Sequence, residues 1–405
     1  MASVLSAVTN DNARILNALM KVPQSVNHRD LELGFLQAAK LGHNDCLECI
    51  IATDIVAIET KDGNENTALY LAVQNHHPKA LKQLIQAKAD VNAIGGGNSR
   101  AIHVAAQFGF EECMNILINN GAKINNKNSS GSTPLILASK KNHHTIMQLL
   151  IAAGCDVNIQ NNEGWSALHY SSHKAMGVDM LLRAGANPNV VDKDNITPLL
   201  MAATEGFDKV VKSLCKANCD VNIANASVNK TALHILAYKG HSECINDLVI
   251  AGGDINLYDK HKRTPLWYAI KNKRIEVVRL LLKANCLADS FQCASFVDAE
   301  CCPTFLALTL GLFSVLKLFI MTGYDRHHLK TYLHHEDIKE MFDDWEDIED
   351  WLEHAQDSTM TLKQICRRWI RHHLGIQFYH GLSELPIPSA MKDYVLMKEL
   401  DAEFV

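Results

Sequence analysis

The chain has 405 residues, 47% of them hydrophobic and 21% charged, with a formal net charge of −6. That composition is ordinary for a folded globular chain, and the acidic balance argues against nucleic acid as the main partner. No basic stretch leads into an apolar run at the N-terminus, so no signal peptide is read. The most membrane-like run, residues 305–320, is interrupted by Lys317, and no membrane span is assigned.

In chain order, residues 4–28 read as an irregular pair of helices that caps the start of a repeat array. From there the sequence repeats. Thr67-Ala68-Leu69 returns as Arg100-Ala101-Ile102, Thr133-Pro134-Leu135, Ser166-Ala167-Leu168, Thr197-Pro198-Leu199, Thr231-Ala232-Leu233 and Thr264-Pro265-Leu266. Successive starts are 33, 33, 33, 31, 34 and 33 residues apart. Units also end alike, on Asp90-Val91-Asn92, Asp156-Val157-Asn158, Asp220-Val221-Asn222 and Asp254-Ile255-Asn256. A weaker unit precedes these, around Ala38, Ala39, Gly42 and His43. Another follows, with Pro303, Ala307, Gly311 and Gly323 in register.

The physical content of each unit is a turn and two short antiparallel helices. Thr caps the first helix and Pro suits its first turn. The small Ala residues let helices approach closely. Gly109, Gly206 and Gly240 suit the left-handed position that ends a helix. Leu149-Leu150 and Leu281-Leu282 supply a buried face to the second helix. No unit can bury that face alone, so units stack. Residues 161–191 form a unit two residues short in its helical region, where the stack is expected to depart from its regular curvature.

This pattern resembles the ankyrin repeat over residues 29–325. The resemblance implies an all-α fold, an ankyrin-repeat solenoid of about nine units behind the N-terminal cap of residues 1–28. It also makes sense of the cysteines. Cys46, Cys113 and Cys244 fall where such units carry a buried Val. Cys155, Cys219 and Cys286 fall where they carry a turn Ala, and Cys215 replaces a Leu. The Cys46/Cys49 pair is therefore read as core rather than as a metal or redox pair. Cys293, Cys301 and Cys302 have no reading. His103, His169 and His234 occupy the Thr-x-x-His slot and are given a structural role. Thiols in core slots favour a reducing, cytoplasmic or nuclear setting.

No catalytic constellation is found. Residues 334–340 start like a zinc-protease helix, but the second histidine would fall at Lys339. No phosphate-binding glycine loop is present. The resemblance implies protein binding on the inner face formed by hairpins and first helices, where Phe108, Lys140, Lys141, Trp165, Tyr170, Glu205, Tyr238 and Tyr268 are placed. Tyr170 and Tyr268 could equally pack between neighbouring units. Units 95–191 are taken as the centre of target binding, with Phe108, Lys140 and Lys141 on the units before the short one, Trp165 and Tyr170 on it and Glu205 on the unit after it. The Leu-x5-Asp-Φ-Asn pattern ending at Asn92, Asn158, Asn222 and Asn256 resembles ankyrin sites hydroxylated by an iron- and oxoglutarate-dependent enzyme. These asparagines would also serve the hairpin itself.

Residues 326–358 form a linker. Within it, residues 336–353 hold ten acidic residues and one lysine. Ile338, Phe342, Trp345, Ile348 and Leu352 recur at helical spacing, so an acidic amphipathic helix is expected. Thr361 and Gln364 then make a capping box. Leu362, Ile365, Cys366, Trp369, Ile370 and Leu374 fall on one wide helical face, and Gly375 ends the helix. That apolar stripe needs something to pack on. Leu385-Pro386-Ile387-Pro388 and Tyr394-Val395-Leu396 come after it.

The spacing Thr361-Leu362-x3-Cys366-x3-Ile370, followed by Leu385-Pro386-Ile387-Pro388, resembles the SOCS box, here residues 359–405. The whole chain resembles the ankyrin repeat and SOCS box family, whose members are substrate receptors of cullin–RING ubiquitin ligases. The resemblance implies that Leu362, Cys366 and Ile370, with Ile365 and Trp369 beside them, contact Elongin C of the Elongin B/C pair. It implies that Leu385, Pro386, Ile387 and Pro388 select cullin five with its RING subunit. On this reading the chain is a non-catalytic adaptor for an unknown protein substrate, without cofactor or metal. The alternative is an ankyrin scaffold with no ligase role.

Overall fold

The computed structural model describes residues 3–21, 27–286 and 301–322. The element at 336–353, the box at 359–405 and Cys293 lie outside the described residues. Regular structure among the described residues is helical, apart from one isolated bridge between Lys61 and Thr67. They fall into two compact units, one running to Lys193 and one from Asp194.

The first unit holds α1 (Val4–Thr9), α2 (Ala13–Met20), α3 (His28–Leu41), α4 (Asn44–Ile51), α5 (Ala68–Gln74), α6 (Pro78–Gln86), α7 (Ala101–Phe108), α8 (Glu111–Asn119), α9 (Pro134–Lys141), α10 (His144–Ala152), α11 (Ala167–Lys174) and α12 (Val178–Arg183). The second holds α13 (Pro198–Glu205), α14 (Asp208–Lys216), α15 (Ala232–Lys239), α16 (Ser242–Ile250), α17 (Pro265–Lys271), α18 (Ile275–Lys283), α19 (Pro303–Thr309) and α20 (Phe313–Met321). In each, odd-numbered helices pack on odd-numbered neighbours, giving a first-helix layer. The even-numbered helices make a second layer, as in α2–α4–α6–α8–α10 and α14–α16–α18–α20. This is the all-α ankyrin solenoid that the repeat predicts, with the pair α1–α2 stacked on α3–α4 at its start.

The core is the repeat itself. Leu84, Leu117, Leu150, Leu181, Leu214, Leu248 and Leu281 occupy one slot of successive second helices, and all are completely buried. Burying one Leu side chain stabilises by about 1.5–3 kcal/mol, and each of these is buried only because a neighbouring helix covers it. Of the Leu149-Leu150 pair only the second is buried, since Leu149 is half-exposed. Cys46, Cys113 and Cys244 are buried beside these leucines as small apolar residues. Cys302 is also buried and stands directly before Pro303, in the slot that Thr fills elsewhere.

Local chemistry fixes the helix ends. The hydroxyls of Thr67, Thr133, Thr197 and Thr264 accept from the backbone N–H three residues on, at 3.1–3.4 Å. Arg100, at the same slot, lacks a hydroxyl and instead donates from Nε to the Asn92 carbonyl at 3.2 Å. The short unit differs where expected. Its turn runs one residue longer, through left-handed Ala175 and Gly177, and α12 has six residues where α10 has nine.

A second series of histidines locks the turns. Gly109 ends α7 at φ +78°, and a Cβ there would lie 2.7 Å from Nδ1 of His143. That imidazole sits over the glycine because its Nε2–H donates to the Gln107 carbonyl at 3.1 Å. Likewise, His77 covers Gly42 and donates to the Lys40 carbonyl at 3.1 Å. Gly109→Ala should therefore destabilise by roughly 2 kcal/mol, from left-handed strain plus the clash. Denaturant unfolding should show about half of that loss returning when His143→Ala is added. A double mutant as unstable as the sum of the two singles would show that the ring does not press on this position.

Candidate partner-binding surface

The hairpins are joined unit to unit by asparagine side chains. The Asn92 amide donates to the Gly121 carbonyl at 3.1 Å and accepts from the Lys123 N–H at 2.8 Å. Asn158 makes the same pair with Gly185 and Asn187, and Asn222 with Gly252 and Asp254. Each amide is thus engaged at both ends across a unit junction. Asn256 lies in the corresponding slot, its N–H held by Asp254. The side chains of Asn92, Asn158 and Asn222 have a structural task whatever else happens to them.

The histidines of the Thr-x-x-His slot behave in parallel. Nδ1 of His103 accepts from the Arg100 N–H at 3.1 Å, and its Nε2–H donates to the Asn126 carbonyl at 2.9 Å. His234 bridges the Thr231 N–H and the Arg263 carbonyl in the same way. His169 accepts from the Ser166 N–H. One donor and one acceptor per ring specify the neutral form, and burial pushes the pKa of His103 and His234 down to about 4.

On this framework the first compact unit carries an aromatic and cationic group. Trp165 packs against Tyr170, with ring centroids 4.8 Å apart, and against His173 at 6.3 Å. Its indole N–H donates to Asp192 Oδ2 at 3.0 Å, which fixes the ring. Lys140 Nζ stands 5.5 Å over the Tyr170 ring. Lys141, next to it in the last turn of α9, is exposed. Tyr170 is itself only 9% exposed, so it packs as a support for Trp165 and Lys140. Phe108 is 50% exposed and belongs to a separate stack, on Phe110 at 5.6 Å, with His76 against the far side of Phe110 at 4.3 Å. His173, Phe110 and His76 were not singled out in the sequence, although Phe110 fills the turn slot of His77 and His143, His76 the left-handed slot of Gly109, and His173 the variable first-helix slot of Lys140 and Tyr238. Glu205 is exposed at the end of α13, in the second compact unit. Among the described residues, no group of three or more His, Cys, Asp or Glu side chains has the arrangement of a metal site. No helix among them is long and apolar enough to cross a membrane.

Two family models match the chain. The family described as ankyrin repeats (3 copies) matches residues 4–94, 102–192, 147–225, 174–259, 199–292 and 233–331. The SOCS box family matches residues 358–396. The nuclear factor NF-kappa-B p105 subunit of Gallus gallus is 30% identical over 43% of this chain and 17% of its own length. The E3 ubiquitin-protein ligase KEG of Arabidopsis thaliana is 30% identical over 26% of this chain and 7% of its own. The chain thus spans well under two thirds of these relatives. A crystal structure of an ankyrin repeat domain from Acinetobacter baumannii, 34% identical, covers 47% of this chain and 100% of that one with a TM-score of 0.45.

The bridging histidines generate a pH dependence. An unfolded histidine takes up a proton near pH 6.5, whereas His103 and His234 resist until about 4. Between those values the unfolded state binds more protons, so stability falls as pH falls. Each residue contributes a loss on the order of 3 kcal/mol across the window. Denaturant unfolding of His234→Gln should show a shallower decline from pH 7 to pH 4.5 than the parent. An equal decline in both would contradict the buried neutral assignment.

Proposed function

The chain belongs to the ankyrin repeat and SOCS box family, and from that premise we propose that it is the substrate-recognition adaptor of a cullin–RING ubiquitin ligase built on Elongin B/C and cullin five. The observation that carries the proposal is the order of its parts. An ankyrin stack, whose exposed side chains are free to meet a target, precedes a SOCS box match at 358–396 that contains both short motifs.

In this reading Leu362 and Cys366 enter a pocket on Elongin C, and Ile370 extends the same helical stripe with Ile365 and Trp369. Leu385, Pro386, Ile387 and Pro388 meet the cullin. The two prolines hold the segment extended, so little conformational entropy is lost on docking. The chemistry of ubiquitin transfer belongs to the RING subunit and its conjugating enzyme. The adaptor's contribution is placement, raising the effective concentration of the substrate's lysines near the reactive thioester. The setting is cytoplasmic or nuclear.

Target binding is assigned first to the Trp165 group. An indole fixed by Asp192, with Lys140 and Lys141 beside it, makes a rigid anchor with a cationic rim. Phe108 is a further contact of the same proposal, and Glu205, in the second compact unit, is a separate candidate contact.

Replacing Leu362 and Cys366 together with Ala should lower Elongin B/C recovery by at least about tenfold, given 1.5–3 kcal/mol for one buried Leu. Changing Leu385, Pro386 and Pro388 to Ala should weaken cullin five capture and leave Elongin B/C recovery intact. Normal co-purification of the first variant, or equal loss of both partners in the second, would refute the division of labour.

A triple variant, Lys140→Glu, Lys141→Glu and Trp165→Ala, should reduce substrate capture while Elongin B/C recovery stays level. Substrate recovery equal to the parent's would move the site elsewhere.

A further inference from the structure

The second compact unit carries a separate surface with its own chemistry. Between residues 228 and 274 there are eight Lys and Arg against four Asp and Glu, in a chain whose net charge is −6. The two signs are also unevenly distributed. Lys230, Lys260, Lys262 and Arg263 stand on hairpins, and Lys239 and Lys271 end the first helices α15 and α17. Of the carboxylates, Glu243 and Asp247 lie on the second helix α16. Asp254 accepts from the Asn256 N–H at 2.9 Å. Asp259 accepts from the Tyr268 hydroxyl at 2.6 Å and from the N–H groups of His261 and Arg263. Asp254 and Asp259 stay charged, but Lys230, Lys239, Lys260, Lys262, Arg263 and Lys271 outnumber them, so the hairpins and first-helix ends carry a net positive charge.

That face also has an aromatic spine. Tyr268 is 5% exposed, and Lys230 Nζ lies 4.2 Å over its ring. Arg263 lies 4.2 Å over Trp267, which meets Tyr268 edge-on. Tyr238 stands edge-on to Tyr268 with centroids 6.2 Å apart and is 52% exposed. Two buried rings thus hold two cations and prop a third ring outward. A cation held on a ring face loses little further freedom when a carboxylate arrives.

We propose that the first-helix face of residues 228–274, with Tyr238 at its centre and Lys230 and Lys271 at its edges, binds an acidic peptide segment. Asp and Glu side chains of the segment pair with the lysines, and its backbone lies across the exposed Tyr238 ring. Charge complementarity selects the occupant. The inference rests on the adaptor reading only for the segment's being part of a substrate. The surface itself stands on the contacts above.

The test uses the full chain co-purified with Elongin B/C and a fluorescein-labelled octa-glutamate peptide, read by anisotropy. Octa-lysine, a glycine–serine octamer and a single-stranded oligonucleotide of equal charge serve as comparisons. Octa-glutamate should bind tightest, and binding should weaken as salt rises from about 50 to about 300 mM. Lys230→Glu with Tyr238→Ala should weaken it by about tenfold or more. Lys212→Glu on the second helix α14 should change it by less than about twofold. Thermal melts and Elongin B/C recovery confirm that each variant is folded and that the adaptor role is judged separately. No preference for octa-glutamate, a preference for the oligonucleotide, or equal binding by the Lys230/Tyr238 variant would overturn the proposal.

Discussion

Every other feature of this protein depends on one constraint: a helix pair of this size cannot bury its own apolar face. Leu117 or Leu214 is completely buried because the next pair covers it, and the same holds slot by slot along each layer. The polar contacts result from that packing. Once neighbouring units are in van der Waals contact, Asn92, Asn158 and Asn222 can span the junction with both ends of the amide. His103 and His234 can tie a cap to the next hairpin, and His77 and His143 can settle on glycines left bare for them. Hydrophobic burial supplies the magnitude, and these bridges supply the register.

The same constraint explains what could be read from sequence. Slots that must be small, apolar or left-handed recur at a fixed period, so the fold, the helix ends and the buried Cys46, Cys113, Cys219 and Cys244 were legible, whereas Cys49, Cys155, Cys215 and Cys286, read as core too, are only partly buried. The short unit at 161–191 was legible too, as a missing pair of residues. Its resolution into a longer turn and a six-residue α12 was not, because sequence spacing does not say where a deletion is absorbed. The ring-over-glycine contacts were missed because each joins two slots about 34 residues apart, and either slot alone has an ordinary local reason to exist.

Surface assignments were less legible for a related reason. Periodicity places a residue on a layer but does not fix how far its neighbours cover it. Tyr170 and Tyr268 occupy equivalent first-helix slots with Lys140 and Lys230 over their rings, and both are buried. Trp165 and Tyr238 rest on them, and Tyr238 is the one left open to solvent. The buried ring therefore props a more exposed one, an arrangement that spacing alone does not reveal. The cationic face of the second unit likewise emerges only once the fold groups Lys230, Lys239, Lys260, Lys262, Arg263 and Lys271 on hairpins and first-helix ends.

In the proposed reading these parts make a modular receptor, with recognition on exposed side chains of the stack and ligase attachment in the segment that matches the SOCS box. The most direct test is native mass spectrometry of the full chain co-expressed with Elongin B/C, then mixed with cullin five and its RING subunit. The account predicts a complex holding one copy of each, formed without loss of the ankyrin chain's fold. The ankyrin chain recovered alone, with Elongin B/C unbound at micromolar concentration, would contradict it.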